Sequence, residues 1–79
     1  MARYQDNKYL THQSSDAFDK EHRPSDSAPF AGIYRCMGCG REIGIAYNHV
    51  LPPQNHHEHT PQQGAIRWRL IVFADHDPK

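Results

Sequence analysis

The sequence predicts a small all-β domain, a three-stranded antiparallel sheet behind a disordered N-terminal arm. Three observations carry that prediction. Apolar residues fall into short strand-like runs after residue 30 and follow no regular period before it. Cys36-Met37-Gly38-Cys39-Gly40 separates the first two runs as a tight turn would. The 79 residues are only 37% hydrophobic, with a mean hydropathy of −0.90. Ordering costs roughly 1.5 kcal/mol per residue, so a core this small calls for a staple of another kind.

The arm occupies residues 1–29 and the folded domain residues 30–79. In the arm, Tyr4, Tyr9, Leu10 and Phe18 are isolated apolar points among charges of both signs, Ser14-Ser15, Pro24 and Ser25-Asp26-Ser27-Ala28-Pro29. They are too few to bury a helix, although a transient one fits Ser15–Glu21. The first strand is Ile33-Tyr34-Arg35, leading into the cysteine turn. The second is Glu42–Tyr47, with Ile43, Ile45 and Tyr47 on one face. Leu51-Pro52-Pro53 then removes two donors and fixes extended backbone, and residues 54–64 read as a loop. The third strand, Ala65–Phe73, sets Ile66, Trp68, Leu70 and Val72 on a core face. Arg67 and Arg69 are opposite, followed there by Ile71 and Phe73.

Two cysteines so closely spaced close too short a loop for a disulfide to constrain much. Their thiolates, with two imidazoles from His56-His57-Glu58-His59, make a complete tetrahedral zinc shell. His56 and His59 repeat the two-residue gap of the cysteine pair and are the first choice beside Cys36 and Cys39. His57 is the alternate ligand, since His57 and His59 point the same way from an extended segment. His49 is a remote candidate, and Glu58 reads as solvent-facing or supporting. The isolated His12, His22 and His76 carry no metal role.

Gly32-Ile33-Tyr34-Arg35-Cys36-Met37-Gly38-Cys39-Gly40, followed by Leu51-Pro52-Pro53, resembles small bacterial zinc-ribbon domains of uncharacterised function. Their pattern is G-x-Y-x-C-x-x-C-G and then L-P-P-C-x-x-C. The resemblance covers roughly residues 31–60 and implies a zinc-ribbon-like sheet. Gln54 and His57 stand where the second cysteine pair falls in the pattern, so the second knuckle is rebuilt with histidine.

Nine basic and nine acidic residues give zero formal net charge, unlike a dedicated nucleic-acid binder. No run approaches the roughly 20 apolar residues of a membrane span, and the first residues lack the apolar stretch of a secretion signal. With sparing use of cysteine, this predicts a cytoplasmic protein without a membrane partner. The leading functional expectation is a monomeric, non-catalytic interaction module with structural Zn2+ and a macromolecular partner, protein or nucleic acid. Nucleic-acid binding by Arg35, Arg41, Arg67 and Arg69 beside Tyr34 or Trp68 is one alternative. Redox or metal-handling chemistry at the Cys36/Cys39 dithiol is another.

Overall fold

A computed structural model describes residues 1–53 and 56–75. Gln54 and His76, both singled out in the sequence, lie outside the described residues. Four strands form one antiparallel sheet: β1 (Glu21–His22), β2 (Gly32–Cys36), β3 (Glu42–Ile45) and β4 (Trp68–Phe73), in the order β1-β4-β2-β3. Asn7–Tyr9 and Asp16–Phe18 are single 3-10 turns, and no α-helix occurs among the described residues. None of the described helices is long and apolar enough to cross a membrane.

The strand count corrects the expectation of three. The added strand, β1, comes from the segment read as an arm and pairs Glu21 with Arg69 and His22 with Trp68. Two residues without apolar alternation carry no strand signal, and their attachment is polar. Arg69 Nε donates to the Phe18 carbonyl at 2.7 Å, and Arg69 also faces Asp19 at 3.7 Å. Arg67 faces Glu21 at 3.8 Å. The alternating arginines of the last strand therefore hold the edge that precedes the sheet in sequence.

The inner face carries the core. Tyr34, Cys36, Ile66, Trp68 and Leu70 are buried there with Ala28 and Leu51, and Phe18, Phe30, Ile43 and Ile45 pack around them. Ala28 and Leu51 arrive on paired loops: Ala28 N donates to His49 O, Asn48 N to Ala28 O and Leu51 N to Asp26 O, each at 2.8 Å. The Tyr34 hydroxyl meets its buried polar requirement by donating to Phe30 O at 2.7 Å.

The core face of the last strand stops at Leu70. A bulge opposite Ile33/Tyr34 pairs Leu70 with Tyr34 but Val72 with Ile33, so Val72 joins Ile33 on the outer face. The strand also begins at Trp68, three residues later than its apolar pattern. Arg67 O turns aside to accept the Met37 amide at 2.8 Å, which ties this chain to the cysteine turn.

Candidate metal centre

Cys36 is the last residue of β2, so its side chain is set by the strand and buried with the core. The chain then reverses tightly. Gly40 N donates to Cys36 O at 2.8 Å and Cys36 N to Arg41 O at 2.7 Å. Gly40 adopts φ +84°, a conformation that costs glycine little. Cys39 thereby faces solvent beside the buried Cys36.

The second pair of donors comes from the loop after Pro53. His56 N closes a turn on Pro53 O at 2.9 Å, and the following residues run without regular structure to Thr60. His57 and His59, two apart, turn their rings toward the cysteines. Cys36 Sγ lies 3.4 Å from His59 Nε2, Cys39 Sγ 3.2 Å from His57 Nε2, and the two Nε2 atoms lie 3.0 Å apart. All four donor atoms fall within 4.8 Å of one another. A tetrahedron with zinc's usual bond lengths has donor–donor edges of roughly 3.3–3.8 Å, so the cluster already has nearly that size.

The ring tautomers fit the same purpose. Gly64 O, which can only accept, lies 2.8 Å from His59 Nδ1, so Nδ1 carries the proton and Nε2 presents its lone pair. His57 Nδ1 meets His56 Nδ1 at 2.8 Å, which lets His57 donate there and also present Nε2. A hydrogen bond from the distal nitrogen is the usual support of a metal-bound histidine. Gly64 reaches His59 with φ +72°.

Protonation favours ligation as well. Burial pushes the Cys36 thiol up, but the backbone amides around it, those of Arg67, Gly38 and Cys39, and the Cys39 thiol together bring it down to about 7. His57 is held below its ordinary value by burial first, then by the charges of Arg41, His59 and His56. Near neutral pH Cys36 is therefore poised to give up its proton and His57 is favoured as the neutral imidazole.

Cys36, Cys39, His57 and His59 are thus brought together as a group that could hold a metal ion. His56, first choice from spacing, is not among these donors; it hydrogen-bonds His57 and stacks edge-on against Trp68 at 5.9 Å. Glu58 and His49 are exposed and outside the group, as is His12. His22 packs edge-on against Tyr34 instead. Sequence reasoning missed three supporting residues. Gly64 supplies the carbonyl, Trp68 lies under the rings of both His56 and His57, and Gly38 leaves room for His59. A Cβ on Gly38 would stand 2.7 Å from His59 Cε1 and 2.8 Å from Gln63 O. Of the three only Gly38 was marked in the sequence, as a glycine of the tight cysteine turn, and that signal did not extend to its contact with His59.

Among known proteins, the chain is similar to Protein L of Escherichia coli. The two are 50% identical over 70 residues, which covers 86% of this chain and 79% of that protein. No family model and no solved structure matches the chain.

Proposed function

The chain belongs to the family of Escherichia coli Protein L, and from its own donor set we propose that it is a small zinc protein whose metal is structural and whose surface is a non-catalytic interaction module. The observation carrying this reading is the convergence of two sulfurs and two Nε2 atoms from separate loops, with the distal nitrogen of each ring occupied. Two thiolates and two imidazoles suit zinc over the hard cations, which prefer oxygen. Four protein donors complete the shell and leave no position for an activated water, which is why the role is non-catalytic. The same facing imidazoles favour metal binding over a free redox dithiol at Cys36 and Cys39.

The partner is macromolecular, and a protein is better supported than a nucleic acid. Tyr34 and Trp68, the two aromatics the sequence offered for base stacking beside the arginines, are fully buried. Arg35, Arg67 and Arg69 face Glu42, Glu21 and Asp19 respectively, so much of the basic face is engaged within the fold. X-ray absorption on the zinc-loaded protein tests the closed shell. Two sulfur and two nitrogen neighbours are expected, and an additional or replacing water oxygen would contradict the structural role.

A further inference from the structure

A sheet buries one face against its core and must cover or use the other. Here the outer face presents Ile33, Ile71 and Val72, all only half-buried. The N-terminal residues lie across it without burying themselves: Tyr4 is 66% exposed, Tyr9 77% and Leu10 44%. Beneath them is a cavity of about 430 Å³, walled by Tyr4, Leu10, Ile33, Ile71 and Val72. That is within the range of small-molecule sites, roughly 300–1,000 Å³. A second cavity, of about 520 Å³, shares Leu10, Ile71 and Val72 with the first, but Thr11, His12, Gln13 and Asp75 also line it, so the apolar body of a ligand is confined to the first.

The charged groups lining the first cavity are the Met1 ammonium, Arg3, Arg35 and Glu42, with the ammonium 3.9 Å from Glu42 Oε2. Arg35 Nη1 donates to Glu42 Oε2 at 2.6 Å, which balances one of the three cations and leaves two net positive charges, enough to favour an anion over a cation beside an apolar surface. Arg35 retains further N–H donors on its fork. We propose that this chamber binds a small amphipathic monoanion, a carboxylate with an aliphatic or aromatic body. The apolar body lies on Ile33, Ile71 and Val72 beneath the N-terminal residues, and the carboxylate meets Arg3 and Arg35. Cys36, and Trp68 beside His57, belong to the inner face with the metal group, so the two sites are separate and this reading goes beyond the zinc proposal.

Methyl NMR titrations of the full zinc-loaded chain with octanoate, octanol and octylammonium test the proposal. Octanoate should give saturable shifts at the Ile33, Ile71 and Val72 methyls and bind more tightly than octanol, with octylammonium weakest. Arg3→Ala, at an exposed position, should weaken octanoate by up to about fivefold, the upper end for one exposed ion pair, and leave octanol unchanged. Lack of saturable shifts overturns the proposal. So do shifts centred on Phe30, Tyr47 and Phe73, octylammonium binding as tightly as octanoate, or an Arg3→Ala loss equal for all three ligands.

Discussion

His59 has its proton placed by a neighbour that cannot donate, the Gly64 carbonyl, and its room provided by a residue without a side chain, Gly38. Both constraints act on the ring apart from its bond to the metal, so disturbing either should weaken metal affinity without removing a donor. Gly38→Ala is expected to lower zinc affinity about 10- to 100-fold, the range for lost supporting contacts, as measured by competition with a chromophoric chelator. An unchanged affinity would mean that the His59 ring is not held as described. Titration acts on the same atoms. Cys36, lowered from 9.0 to about 7, loses its proton more readily in the fold than in the unfolded chain. Its contribution is complete above pH 9 and is lost as pH falls through 7. His57, lowered from 6.5, accepts a proton less readily when folded, so further acidification penalises the fold again. Because zinc binds the thiolate and the neutral imidazole, zinc affinity measured by chelator competition should therefore fall steadily from pH 9 to pH 6, and a rise over that window would reverse the sign of the argument.

At the scale of elements, the strands that matter to the site were legible because their apolar alternation matches burial: Tyr34 and Cys36 on β2, and Ile66, Trp68 and Leu70 leading into and along β4. The limits of that pattern have physical causes. Val72 continues the period in sequence but leaves the core face because a bulge intervenes. The edge strand β1 has no hydrophobic pattern to read, since it is held by Arg69 on the Phe18 carbonyl and by ion pairs to Asp19 and Glu21. Arg69→Ala should cost about 1.5–3 kcal/mol, as for a hydrogen bond to a charged group, reduced toward the lower end by its partial exposure. Hydrogen exchange checks the locality: the Glu21 and His22 amides should lose protection while those of β2 and β3 keep it. Equal loss across the sheet would show that this contact is not an edge tether. Spacing alone pointed to His56 and His59, whereas the irregular loop turns His57 and His59 toward the cysteines with exposed Glu58 between them.

For the whole molecule, the deciding comparison is between the metal and everything else. A chain of this length has a stability of roughly 4–12 kcal/mol by the usual allowance per residue, whereas a structural zinc site contributes on the order of 10–16 kcal/mol. The site is also continuous with the core through Cys36 and through Trp68, which lies against His57. Chelation at neutral pH should therefore unfold the domain cooperatively, with Trp68, the single tryptophan, reporting the change as a red shift in fluorescence. Persistence of the dispersed sheet signals after complete metal removal would show that the hydrophobic core suffices alone. The most direct measurement of the central claim is native mass spectrometry of the wild type with Cys36→Ser, Cys39→Ser, His56→Ala, His57→Ala and His59→Ala. One zinc per chain should be retained by wild type and His56→Ala and lost from the other four variants. A metal-free folded wild type, or zinc retained in His57→Ala and lost from His56→Ala, would contradict it.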